Sequence, residues 1–172
     1  MDDVTPCENY PVSMIFTAVL VNVSIYALGA AILSGFGNIP FALYLFYCLG
    51  MEIHVMRKSC VDCYYYGKWC AFGKGKAAPL FFEKGDPRRF SAKQISSKDL
   101  LPDLLVPLIP LGGGVALLVL NFSWTVTIML AALLALSSSG NFFVRSKLAC
   151  KYCKQRELGC PAEQFFGKQR AL

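Results

Sequence analysis

The chain has 172 residues, 55% of them hydrophobic and only 16% charged, against about a quarter charged in a soluble globular domain. Its charges are segregated. No charged residue stands between Glu8 and Glu52, or between Asp103 and Arg145, which leaves uncharged stretches of 43 and 41 residues. A water-soluble domain would have too little polar surface to cover them, and the formal net charge of +6 is gathered on one membrane face instead of forming a nucleic-acid footprint.

In chain order, the first segment opens Met1-Asp2-Asp3 and lacks a basic region ahead of its apolar run. It therefore reads as a retained segment and not as a cleaved signal peptide. A helix that crosses the hydrocarbon core needs about 20 apolar residues. Each uncharged stretch thus holds two spans and a tight turn. The spans are expected at 12–34, 39–57, 103–121 and 123–144, with turns at 34–40 and near 121–124. The expected fold is an all-α integral membrane protein, one membrane domain over 1–172, with four transmembrane helices arranged as two hairpin repeats. Repeat 1 covers about 11–70 and repeat 2 about 103–160, with a cytoplasmic loop at 71–102 and a tail at 161–172.

Orientation follows from the basic residues. All 17 Lys and Arg residues lie at or after Arg57, ten of them in 57–98 and seven at or after Arg145. Basic loops stay in the cytoplasm. Both termini and the middle loop are therefore expected on the cytoplasmic side of the cell membrane. The lipid bilayer is the expected partner, with a cytoplasmic protein at the basic face as a further possibility and no nucleic acid.

Six of the eight cysteines fall into two copies of one pattern, C-x2-C-x6-C. They are Cys60, Cys63 and Cys70, then Cys150, Cys153 and Cys160. A shift of ninety residues superimposes the two triplets and also places Gly50 on Gly140 and Arg57 on Lys147. Each half is a hairpin followed by a basic step and a triplet. Two spans per half is an even number, so the halves point the same way, as in parallel repeats. Thiolates bind soft or borderline metals, and C-x2-C is a common half-site.

In ligand spacing the pattern resembles the fungal binuclear zinc-cluster transcription factors. The resemblance is one of ligand geometry, confined to residues 60–70 and 150–160. It implies six thiolates holding about two zinc ions, with two sulfurs bridging. The linker here is 79 residues long and contains two spans, far longer than in that family, and no DNA-reading context accompanies it.

Other arrangements stay open. Each triplet could hold an iron–sulfur cluster, Cys60, Cys63, Cys150 and Cys153 could share one ion, or the cysteines could be redox-active dithiols. Cys160-Pro161 matches the end of a bacterial ferredoxin motif, but the spacing before it does not. Thiol-to-quinone oxidoreductases also combine four spans with paired cysteines, but those face the oxidising side. A reducing compartment disfavours a structural disulfide framework.

Further candidates are weaker. Cys7 lies on the expected face of the triplets, either as a free thiol or as a seventh ligand. Cys48 reads as a packing residue. His54 and Glu52 stand at the inner end of the second span, as a solvated boundary pair or as ligands. Tyr64, Tyr65, Tyr66 and Trp69 read either as cover for a cluster or as interfacial aromatics. Pro107, Pro110 and the glycines 112–114 should weaken or kink the third span. The Gly-Lys segment after Cys70 lacks the ending of a phosphate-binding loop.

The sequence reading is a membrane-embedded metal–thiolate protein in which bridged zinc staples two helical hairpins. An iron–sulfur electron-transfer protein is one alternative, and a membrane enzyme or transporter with a structural metal site is another. No catalytic set is apparent.

Overall fold

The structure, a computed structural model, describes residues 6–93 and 97–161. The described residues are helical apart from turns and one isolated backbone bridge between Cys7 and Cys153. Four helices are long and apolar enough to cross a membrane: Val12–Phe36, Asn38–Cys60, Lys98–Leu120 and Trp124–Ala149. Most of the tail expected at 161–172 lies outside the described residues.

Within the spans run α1 (Val12–Leu33), α2 (Asn38–Val55), α5 (Ser97–Leu120), α6 (Trp124–Ala135) and the short α7 (Asn141–Phe143). Between the second and third spans lie α3 (Lys74–Phe81) and α4 (Pro87–Ala92). The loop expected at 71–102 is thus largely helical. The first hairpin turns at Gly37, whose φ of 107° suits a residue without Cβ. Helix α1 is central and packs on α2, α5 and α6. Ile32, Leu33, Tyr44, Cys48, Leu130 and Leu133 meet in its core, so Cys48 is indeed a packing residue.

Two span ends differ from expectation. The second span runs on to Cys60 and the fourth to Ala149, past the expected ends at 57 and 144. Both final segments, Met56–Cys60 and Val144–Ala149, are π-helical. Val61 N–H donates to Met56 C=O at 3.3 Å, and Cys150 N–H to Arg145 C=O at 2.8 Å. The basic residues Arg57, Lys58, Arg145 and Lys147 ride inside these last turns. Long basic side chains at a helix end reach the interface, so the first charge does not mark where the helix stops.

The third span is a continuous helix that contains Pro102, Pro107 and Pro110. Pro110 has no N–H, so the Val106 carbonyl loses its intrahelical donor. The Tyr44 hydroxyl, from α2, donates to that carbonyl at 3.0 Å. Tyr44 is buried. It passes α1 at Gly29, where any Cβ would strike the Tyr44 ring and hydroxyl. In hydrocarbon a freed carbonyl must find a neighbouring donor, and this one does. Gly113 and Gly114 add close packing, since a Cβ there would press on Leu33 and Leu130 respectively.

Tyr44→Phe is expected to lower stability by about 1 kcal/mol, within the range for interhelical hydrogen bonds in membranes. Pro110→Ala in that background supplies Val106 with a backbone donor and should recover most of the loss. Unfolding in mixed micelles measures both. A Pro110→Ala substitution that helps wild type as much as Tyr44→Phe would break the assignment.

Candidate functional site: a cysteine-rich end joined by exchanged hydrogen bonds

Both cysteine triplets and the segment Cys7–Tyr10 gather at one end of the helices. Cys60 is the last residue of the second span's π turn, and Cys63 and Cys70 follow in turns. Cys150 opens the second loop and is exposed, while Cys153 and Cys160 are half-buried. A small core of Tyr10, Ile15, Tyr65, Ala71 and Ala149 lies beneath, with Cys63, Cys70 and Cys153 packed against it.

The two loops are built alike. Cys63 N–H donates to Cys60 C=O at 3.3 Å, and Cys153 N–H to Cys150 C=O at 3.5 Å. Tyr66 N–H donates to Cys63 C=O at 3.0 Å, and Arg156 N–H to Cys153 C=O at 3.1 Å. The backbone at Tyr65 favours the Cys63 thiolate, and the backbone at Gln155 favours the Cys153 thiolate. Each of these bonds has its counterpart ninety residues on.

The loops then exchange hydrogen bonds across their junction. Tyr64 N–H donates to the Gln155 side-chain oxygen at 2.8 Å, and Lys154 N–H donates to the Tyr65 hydroxyl at 3.0 Å. The same shift turns Tyr64 into Lys154 and Tyr65 into Gln155. Gln155 and Tyr65 are each only 2% exposed, so both acceptors work where water does not compete.

The N-terminal segment laces the junction shut. Cys7 N–H donates to Tyr152 C=O at 3.0 Å, and the Tyr65 hydroxyl donates to Cys7 C=O at 2.6 Å. Tyr10 donates its hydroxyl to Ala149 C=O at 2.5 Å and its N–H to Trp69 C=O at 3.0 Å. Glu8 pairs with Lys68 and Lys154, one from each loop, and accepts from the Tyr64 hydroxyl. The Lys154 contact, followed by those of Tyr64 and Lys68, holds the Glu8 carboxyl at about 2, well below its usual range.

The first loop folds around Gly75, whose N–H donates to the Cys70 sulfur at 3.2 Å and whose carbonyl accepts from Gly67 N–H at 2.8 Å. A Cβ at this position would run into the carbonyls of Tyr65 and Lys68. The glycine after Cys70 thus serves the sulfur site. It is not a phosphate cradle.

The sulfurs feel one another. Cys60 lies in the field of Cys70 and Cys63. Cys63 interacts with Cys153, Cys70 and Cys160, and Cys153 with Cys160 and Cys150. Burial pushes the Cys63 thiol up to about 11, partly offset by its Tyr65 N–H bond, and burial likewise raises Cys153. Both shifts favour the neutral thiol. Among the described residues, no three Cys, His, Asp or Glu side chains converge on a common point fit to hold an ion.

Other sequence candidates go elsewhere. Glu52 pairs with Lys74 at 2.8 Å and accepts from the Tyr26 hydroxyl at 2.6 Å, which makes it a tie between α1, α2 and α3. His54 is exposed on the far side of the α2 foot, in a recess with Arg57 and Lys58. The roles of Gln155, Glu8 and Tyr10 are not anticipated by the cysteine pattern. The ninety-residue shift that aligns the triplets does place Gln155 on Tyr65.

Compared with protein-family models, with curated proteins and with solved structures, the chain matches none.

Gln155→Ala and Tyr65→Phe are each expected to cost about 1–3 kcal/mol, because each removes a buried acceptor and leaves a part-buried backbone N–H unpaired. The double variant should lose less than the two single losses added, since both bonds close one junction. Thermal unfolding of the four proteins measures this. Single losses below about 0.5 kcal/mol, the scale of neutral surface changes, would mean the exchange does not hold the loops.

Proposed function

We propose that this is a membrane-embedded metal–thiolate protein built of two parallel hairpin repeats. Its triplets Cys60, Cys63, Cys70, Cys150, Cys153 and Cys160 would form one joint site on the cytoplasmic side. The observation that carries the reading is the exchange of Tyr64–Gln155 and Lys154–Tyr65 hydrogen bonds between the two loops. It brings the second cysteine of each motif into the field of the other. The paired bonds ninety residues apart support the repeat, and the basic residues at the cysteine end support the orientation.

The donor set suits a cation. The Gly75 N–H reaches the Cys70 sulfur, and the backbone beside Cys63 and Cys153 partly offsets the rise that burial gives their thiols; such donors favour the thiolate form. A thiol held up by burial gives up its proton when a metal replaces it, so binding would be pH-dependent and coupled to folding. Turning a cysteine about χ1 moves its sulfur by about 3 Å between staggered positions, which gives each side chain room to close on an ion. The raised thiols weigh against the dithiol reading.

Zinc in a bridged six-thiolate arrangement is the favoured occupant. Six thiolates saturate about two bridged ions and leave no open position, which is how structural sites differ from catalytic ones. The role is then a staple between hairpins. Elemental analysis of anaerobically purified protein tests this directly. About two zinc ions per chain in a colourless, redox-silent preparation is the expected result. Iron with sulfide and a reversible signal between about −700 and +450 mV would replace the staple by electron transfer. Protein that takes up neither metal would end the metal–thiolate reading.

A further inference from the structure

At the foot of α2 lies an open recess of about 300 Å³ lined by His54, Arg57 and Lys58. It is separate from the cysteine junction and rests on none of its chemistry. The three residues share one face of the helix, at positions i, i+3 and i+4. Lys93 donates its ammonium to the Lys58 carbonyl, adding a fourth basic group, while Asp99 pairs with Lys58. Among the described residues, neither the His54 nor the Arg57 side chain has a hydrogen-bond or ion-pair partner, and both are exposed. Glu52, the nearest acid in sequence, is occupied by Lys74 and Tyr26.

The same helix face continues upward as bare hydrocarbon. Phe46, Leu49 and Ile53 are 72%, 57% and 44% exposed, and they precede Arg57 by eleven, eight and four residues. A basic recess thus closes the lower end of an apolar stripe that would face lipid. An amphiphile that fits both parts has an acyl chain and a phosphate.

We propose that this recess binds the phosphate of an anionic phospholipid, whose acyl chain lies along Phe46, Leu49 and Ile53. Arg57 supplies a planar guanidinium fork for the phosphate oxygens, and the His54 imidazole supplies an N–H donor. Lys58, already tied to Asp99, contributes less. The site would hold a resident lipid against the second span, beside the turn that leads into Cys60.

Native mass spectrometry of the full chain, released from nanodiscs of equal phosphatidylglycerol and phosphatidylcholine, tests the proposal. Wild type should retain phosphatidylglycerol in preference to phosphatidylcholine. Arg57→Gln should weaken that retention about fivefold, the weight of one basic charge beside an anionic headgroup, and His54→Gln should weaken it further in the Arg57→Gln background. An Arg88→Gln/Arg89→Gln variant, altered in exposed basic residues of α4, should retain the lipid as wild type does. An equal loss in that variant would reduce the effect to general surface charge and overturn the site. So would the absence of a headgroup preference. Inorganic phosphate that binds lipid-free protein in an Arg57-dependent way and displaces the lipid would assign the recess to free phosphate and overturn the lipid reading.

Discussion

Two backbone N–H groups, those of Tyr64 and Lys154, decide the arrangement of the cysteine end. Each sits next to the second cysteine of its motif, on a half-buried residue. The acceptors come from the opposite loop, as the buried Gln155 for Tyr64 and the buried Tyr65 for Lys154. Breaking the junction would leave both part-buried donors without their partners, at a cost of about 1 kcal/mol each. The backbone of the same two residues lowers the thiols of Cys63 and Cys153 against the effect of burial. One pair of residues therefore joins the loops beside the second cysteine of each motif. The strap from Cys7 to Tyr10 depends on the same pair, since the Tyr65 hydroxyl that accepts from Lys154 donates to the Cys7 carbonyl.

The helices obey the same rule under harsher terms. In hydrocarbon no water stands in for a missing partner. The Val106 carbonyl, released by Pro110, is met by Tyr44 across a gap that Gly29 leaves in α1. That contact ties α2 to α5, the closing helix of one hairpin to the opening helix of the other. The two hairpins are thus pinned within the spans by Tyr44 and at their ends by Tyr65 and Gln155. Apolar packing alone would pin them weakly, because lipid tails satisfy leucine and isoleucine as well as a neighbouring helix does.

Much of this was legible in the sequence. Four spans follow from two uncharged stretches, because charge is what hydrocarbon excludes most strongly, and the triplets share an end because an even number of spans separates them. The helices run on to Cys60 and Ala149, past the first basic residues Arg57, Lys58, Arg145 and Lys147, because a charge near a helix end does not stop the backbone from staying helical. The prolines of α5 pointed to a kink, but sequence does not reveal a distant donor such as Tyr44. At the junction the cysteine pattern marked the place and not the mechanism. Tyr65 and Gln155 share only an oxygen able to accept a hydrogen bond, so residue similarity hides their equivalence. Glu8 and Tyr10 belong to the strap, whose partners lie more than fifty residues away in both loops.

The account stands on the two triplets being a single site, and the metal count of Cys153→Ser tests that most directly. The substitution touches only the second motif and leaves Cys60, Cys63 and Cys70 intact. A joint cluster loses its bridging arrangement when one of six thiolates goes, so bound metal should fall well below about one ion per chain. A variant that keeps about one tightly held ion on the first triplet, at wild-type stability, would show two independent sites and contradict the account.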